Sequence, residues 1–212
     1  MLQVNEIFHS IQGESTHAGR PCVFVRLTGC NLRCVWCDTA YAFHEGQPMS
    51  VGEVVERVAA YGCDLVEITG GEPLLQADAI PLMRELRRRG HAVLVETGGS
   101  LPIDAVPRGV GRIVDIKCPG SGEDDRNRWE NLDELRPGDE LKFVLADRAD
   151  YCWASGQIES RKLGRNCPVL LSPVHGALDP AQLARWVLED GLPVRVQLQL
   201  HKLLWPGVDR GV

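Results

Sequence analysis

The chain has no excess of positive charge: 23 Lys and Arg stand against 29 Asp and Glu, a formal net charge of -6. Such a balance gives little non-specific attraction to nucleic acid or to an anionic membrane, because neutralising phosphates takes a surplus of Lys and Arg. Nor is there a run approaching the roughly 20 apolar residues of a membrane span, and Met1 to Phe8 hold neither a basic start nor an apolar leader core. A cytoplasmic protein is expected, with a small-molecule partner, no nucleic acid and no membrane. Repeats, low-complexity tracts and linkers are also lacking. Residues 1–212 are therefore expected to form a single domain, long enough to bury a real core. With 44% hydrophobic and 25% charged residues, the composition is that of an ordinary folded protein.

What is present is a series of short β-rich runs: Cys22–Thr28, Leu65–Thr69, Ala92–Glu96, Arg112–Ile116, Glu140–Leu145, Pro168–Leu171 and Val194–Leu200. Helical patterns separate several of them. Ser50 and Glu53 form a capping box that opens a helix to about Tyr61, and Asp179-Pro180 supplies an N-cap followed by proline at the first helical position. Ala77–Arg89 is apolar at Ile80, Met83 and Leu86, with Gly90 placed to end it. Strands alternating with helices predict parallel strands joined by crossovers, an α/β fold. The polar segment 120–139 reads as a solvated loop with a short helix.

The eight cysteines suggest a disulfide set, but Cys30, Cys34 and Cys37 lie within eight positions in a chain with no secretion signal. That spacing points to metal. The other five, Cys22, Cys63, Cys118, Cys152 and Cys167, have no ligand spacing and read mostly as buried small apolar residues. A structural zinc site takes four ligands, and no second CxxC pair is present, although His44 or Asp38 could complete one. Alternatively, three thiolates can hold three irons of a four-iron cluster and leave the fourth open for chemistry. The residues that stand out follow the predicted strands: the cysteine loop the first, Thr69-Gly-Gly-Glu-Pro73 the second, Glu96-Thr-Gly-Gly99 the third, Lys117 the fourth, Ser172-Pro173 a later one and His201 the last. In α/β sheets and barrels the loops at the carboxyl ends of the strands converge on the ligand.

Cys30-Asn-Leu-Arg-Cys34-Val-Trp-Cys37 resembles the cluster motif of the radical S-adenosylmethionine (SAM) superfamily, and Thr69–Pro73 resembles its glycine-rich cosubstrate motif. The resemblance implies an incomplete (partial) TIM-type α/β barrel and one 4Fe-4S cluster on Cys30, Cys34 and Cys37. It also implies S-adenosyl-L-methionine, cleaved by one electron to a 5′-deoxyadenosyl radical. Gln12-Gly-Glu-Ser15, Val25-Arg26, Cys37-Asp-Thr39, Glu96–Gly99 and Gln199–Lys202 are similar to the 7-carboxy-7-deazaguanine synthases, nearly end to end. Those enzymes convert 6-carboxy-5,6,7,8-tetrahydropterin to 7-carboxy-7-deazaguanine with loss of ammonia, in 7-deazapurine (queuosine-type) biosynthesis.

By that resemblance Thr39 would bind Mg²⁺. Ile11, Gln12, Gly13, Glu14, Arg26, Thr69 and His201 would face the pterin. Trp36, Cys37, Asp38 and Gly71 would line the cosubstrate, with Asp115, Ile116, Lys117, Ser172, Pro173, Val174 and His175. The types suit these roles. An ionised Glu14 only accepts hydrogen bonds and can take two adjacent pterin N–H groups, Gln12 offers a donor and an acceptor, and Arg26 can grip a carboxylate or else pair with a core acid. Mg²⁺ keeps several waters, so one Thr can suffice. A one-electron reductant such as flavodoxin or ferredoxin is implied, as is a homodimer. The chain departs from the family's pattern at Asp115-Ile-Lys117, where some members have Ser-Pro-Lys, and in the residues after Pro206. Two rival readings are an activase that makes a glycyl radical on a large protein and a zinc-binding interaction module.

Overall fold

The computed structural model describes all of residues 1–212. Nine strands form one sheet in the order β3-β1-β2-β4-β5-β6-β7-β8-β9. They are β1 (Leu2–Ile11), β2 (Pro21–Leu27), β3 (Gln47–Met49), β4 (Leu65–Gly70), β5 (Ala92–Thr97), β6 (Val110–Ile116), β7 (Glu140–Leu145), β8 (Val169–Pro173) and β9 (Arg195–Val196). From β2 to β9 every pairing is parallel, as the sequence predicts. β1, which the strand reading did not include, is antiparallel both to β2 and to the short β3. The sheet curls without closing, an incomplete barrel.

Helices cover the outer face. The helix α1 (Val51–Ala59) starts at the predicted capping box, with Ser50 and Glu53 bonded reciprocally. The helix α2 (Ala79–Arg88) ends just before Gly90, whose φ of +96° suits only glycine without strain. α3 (Arg148–Ser160) is capped by Asp147, and α4 (Pro180–Asp190) by Asp179, which accepts from Ala181 N. Val54, Val55 and Val58 of α1 and Leu82, Met83 and Leu86 of α2 pack on Val23, Val25, Val66, Ile68, Val93 and Val95. Tyr151, Ala154 and Ile158 of α3 and Leu183 and Val187 of α4 pack on Val114, Ile116, Leu141, Phe143 and Leu171. No helix is long and apolar enough to cross a membrane.

The strict alternation of the strands assigns the other residues to the concave face. Phe24, Leu94 and Ile113 make an apolar inner layer with Phe8, whose ring stacks on Phe24 at 5.0 Å. Arg26, Thr69, Glu96, Asp115 and Lys142 share that inward parity and are polar. In β1 a bulge between Val4 and Glu6 changes parity: Leu2 and Val4 join the outer core, whereas Glu6 and Phe8 face inward.

Two of the crossovers between parallel strands carry no α-helix. Residues 98–109 run as a loop between β5 and β6, and 117–139 make three short 3₁₀ turns. Arg112, fully buried, pins both, bonding Asp139, Ile103 O and Glu134 O. The expected last strand, Val194–Leu200, is reduced to Arg195–Val196 at the sheet edge, and the chain turns into a short helix α5 (Leu200–Leu204). That turn is held by Leu200 N on Gly13 O at 2.9 Å, a contact no local pattern reveals.

Candidate active site

A cavity of about 380 Å³ opens at the carboxyl ends of the parallel strands. The loop after β2 brings Cys30, Cys34 and Cys37 to its wall, all as free thiols. Its path depends on glycine. A Cβ on Gly71 would lie 2.2 Å from Gly29 O and 2.8 Å from Cys30 Cβ, so only glycine lets the loop after β4 pass against the cysteine loop. Glu72, buried without exposure, ties that loop to the next by accepting from Leu74 N, Thr97 Oγ1 and Gly98 N at 3.0, 2.9 and 2.8 Å.

The donor set suits an iron-sulfur cluster better than zinc. No three His, Cys, Asp or Glu side chains converge on a single ion position, and His44 is exposed. Three thiolates on one cavity wall without a fourth protein ligand match a polynuclear cluster with one open iron. Burial pushes the Cys30 and Cys34 thiols up, but the Lys117 ammonium opposes it, and Leu32 N–H approaches Cys30 Sγ at 3.4 Å. Both would stabilise thiolate charge.

Beside the cysteines, Trp36, Asp38, Gly71, Val174 and the exposed His175 line the cavity. Asp115 lines it too, with Oδ2 on Lys117 Nζ at 2.8 Å and Oδ1 buried without a partner. Three residues expected beside the cosubstrate do not line the cavity. Ile116 is one position past inward Asp115, so the pleat sends it into the outer core against α3. Pro173 is buried by the same parity, and Ser172 has inward parity but a fully buried, unpartnered hydroxyl. Of the five remaining cysteines, Cys22, Cys118 and Cys167 are buried, Cys63 is half-buried and Cys152 is exposed.

The residues expected to face the pterin, Ile11, Gln12, Gly13, Glu14, Arg26, Thr69 and His201, all line this cavity. Gln12 to Glu14 arrive from the other side. Because β1 is antiparallel, the loop that follows it lies at the amino ends of the parallel strands, where Thr16 N reaches Glu140 at the start of β7 at 3.0 Å. Ser15 N bonds Gln197 at 2.9 Å. The loop thus plugs the floor of the open barrel, and not every candidate sits at a strand's carboxyl end.

Glu14 is an inward carboxylate rather than a surface one. It pairs with Lys142 at 2.9 Å and accepts from Gln199 at 3.1 Å. Burial alone would raise its pKa, but Lys142 brings it down to about 2. Gln12 Oε1 accepts from Glu14 N at 2.8 Å, and its amide nitrogen donates to buried Glu67. Gly13 packs on His201; a Cβ there would lie 2.3 Å from His201 Nδ1. Burial lowers the His201 pKa, so the ring is neutral at neutral pH. Arg26 pairs with an acid, its Nε donating to Glu6 at 2.7 Å, and its two terminal nitrogens make no hydrogen bond within the protein.

Thr39 Oγ1 lies 3.8 Å from Cys37 Sγ on the same wall. The residues after Pro206 fold back over the mouth, where Arg210 pairs with Glu45 at 2.8 Å and Gly211 N reaches Glu6 at 3.2 Å. Sequence reasoning missed Lys142, Glu67 and Glu6, and noted Glu96 only within a motif. Their signal was a charged residue among the apolar residues of a strand, at an inward step of two.

Residues 24–115 match the family model of the radical SAM superfamily. Along its whole length the chain is 48% identical to a 7-carboxy-7-deazaguanine synthase of Koribacter versatilis, covering 100% of that protein. It is 47% identical to the one from Chlorobaculum tepidum, covering 97% of it. The crystal structure of QueE from Escherichia coli superposes with a TM-score of 0.76 over 94% of each chain, at 22% identity, a likeness of fold.

Proposed function

The chain belongs to the 7-carboxy-7-deazaguanine synthase family of radical SAM enzymes, and from that membership we propose how its cavity performs the reaction. The enzyme converts 6-carboxy-5,6,7,8-tetrahydropterin to 7-carboxy-7-deazaguanine and releases ammonia. The observation that carries the reading is that one cavity joins three unpaired thiols on one wall to an ionised, inward Glu14 on its floor. An activase acting on a large protein has no use for that floor, and a zinc module lacks its fourth ligand.

Cys30, Cys34 and Cys37 would hold the 4Fe-4S cluster, with Gly71 admitting S-adenosyl-L-methionine against the loop backbone. The bound pair supplies the one-electron chemistry that begins hydrogen abstraction from the pterin. The remaining work belongs to the chain. Glu14 accepts the paired N–H donors of the pyrimidine edge, Gln12 and Thr69 fix the ring beside it, and neutral His201 closes the side next to Gly13. The free end of the Arg26 guanidinium takes the substrate carboxylate. Trp36, Asp38, Asp115, Lys117, Val174 and His175 surround the cosubstrate by side chain, while Ile116, Ser172 and Pro173 contribute backbone only. The plugged floor excludes water and holds two organic molecules in register.

Thr39 is the proposed Mg²⁺ ligand, supported by its place on the cavity wall beside Cys37; the ion would orient the substrate as its ring contracts. Residues 1–212 would act as one radical SAM domain, in a cytoplasmic homodimer reduced by flavodoxin or ferredoxin. The test is anaerobic turnover of the reconstituted enzyme with S-adenosylmethionine, 6-carboxytetrahydropterin, Mg²⁺ and a reductant, followed by mass spectrometry. Formation of 7-carboxy-7-deazaguanine that vanishes in Cys34→Ala is expected, with loss of Mg²⁺ stimulation in Thr39→Val. 5′-Deoxyadenosine without the deazapurine would overturn the substrate, and Mg²⁺ stimulation that survives in Thr39→Val would overturn the metal site.

A further inference from the structure

The floor beneath the pterin site holds more carboxylates than cations. Glu14 enters from the β1–β2 loop, Glu67 from β4, Glu96 from β5 and Asp115 from β6. Only two ammonium groups face them. Lys117 is committed to Asp115 at 2.8 Å. Lys142, on β7, pairs with Glu14 at 2.9 Å and with Glu96, and stands 3.9 Å from Asp115. Its side chain is only 5% exposed.

We propose that Lys142 is a positioning residue for substrate recognition: its ammonium fixes the Glu14 carboxylate in the place and charge state in which it accepts the pterin's N–H donors. This rests on Glu14 being that acceptor. Lys142 is the one cation in salt-bridge contact with Glu14. The other groups facing Glu14 favour its charge less strongly than Lys142 does. Gln199 and Gln197 donate neutral hydrogen bonds at 3.1 and 3.4 Å, and burial keeps His201 neutral.

Glu96 and Asp115 press the other way, because like charges in a buried site favour protonation. Burial and the facing Glu96 already raise the Glu67 pKa well above the ordinary carboxylate value. Without Lys142, Glu14 would follow. A protonated carboxyl presents an O–H where the pterin presents an N–H, donor against donor. Gln12 is fixed through the same network, since its amide spans Glu14 N and Glu67.

The experiment is calorimetric titration of 6-carboxy-5,6,7,8-tetrahydropterin into the reconstituted enzyme with S-adenosylmethionine and Mg²⁺ but no reductant, from pH 6 to 9. The variant-to-wild-type ratio at each pH cancels titration of the ligand itself. Lys142→Met is expected to weaken binding about ten- to a hundredfold at pH 7, the scale of a lost charged hydrogen bond, and to recover as rising pH ionises Glu14. Lys142→Arg keeps the wild-type profile, and adding Lys142→Met to Glu14→Gln changes affinity by less than about twofold. Should Lys142→Met fail to fold, Lys142→Gln takes its place. A loss that is the same at every pH, or no loss, would overturn the role of Lys142. Wild-type affinity in Glu14→Gln would instead overturn the Glu14 reading beneath it.

Discussion

Gly71→Ala probes the packing that brings the cysteine loop to the cavity. The new Cβ would sit 2.2 Å from Gly29 O, 2.6 Å from Gly29 C and 2.8 Å from Cys30 Cβ. Carbon and oxygen in contact stand at more than 3 Å, so the loops must part by about 1 Å, and the obstacle is mostly backbone that no rotamer change moves. Two hydrogen bonds cross this gap, Gly71 N to Leu27 O at 3.2 Å and Glu72 N to Gly29 O at 2.8 Å. Overpacking of this kind costs about 1–3 kcal/mol, and each stretched bond adds about 0.5–1.5 kcal/mol. A total near 4 kcal/mol lowers the melting temperature of a chain this size by about 8–16 °C. Gly156→Ala is the control: in the middle of α3, with nothing within 4 Å of its Cβ, alanine should stabilise by about 0.5–1 kcal/mol. The assay is thermal melting of the cluster-free protein, with iron and sulfide counted per chain after anaerobic reconstitution. Gly71→Ala that melts within 2 °C of wild type, with ~2 °C taken as less than one kcal/mol, and loads a full cluster would refute the close approach.

Arg112→Met removes the guanidinium buried against Asp139 and leaves that carboxylate without a counter-charge. It should destabilise by about 3–5 kcal/mol, and Arg112→Met combined with Asp139→Leu should recover part of the loss, both read by chemical denaturation. Glu67 supplies a pH dependence. Its pKa is raised well above the ordinary carboxylate value by burial and then by Glu96, so its contribution is full below the unfolded pKa and is lost as pH rises towards the folded one. Glu67→Gln keeps an acceptor for Gln12 and cannot ionise. Melting temperatures from pH 5 to 8 should therefore fall less steeply in the variant; parallel curves would show that Glu67 does not ionise differently on folding.

The fold class was legible because its signals are local. A capping box, a glycine after α2 and proline after Asp179 act within a few residues, and parallel strands buried on one face under helices read as short apolar runs. The spacing of the three cysteines pointed to metal, and the resemblance to the superfamily motif chose the cluster over zinc. β1 was missed because a bulge after Val4 breaks its alternation, and β9 was overdrawn because an edge strand has one neighbour and the chain leaves it to meet Gly13. That the Ile116 side chain enters the outer core was not legible, because a motif names positions but not the face on which each lands.

Sequence by itself determined which chemical groups the chain owns and the local preferences that make strands, helices and a thiolate loop. Tertiary structure alone decided which charges meet. The antiparallel β1 delivers Gln12 and Glu14 through the floor, Glu14 lying 128 positions along the chain from Lys142. Whether Glu14 is a solvated surface acid or a buried acceptor held near a pKa of 2 depends on that meeting, since a pKa is set by burial and by the charges in contact, and neither is a property of the residue.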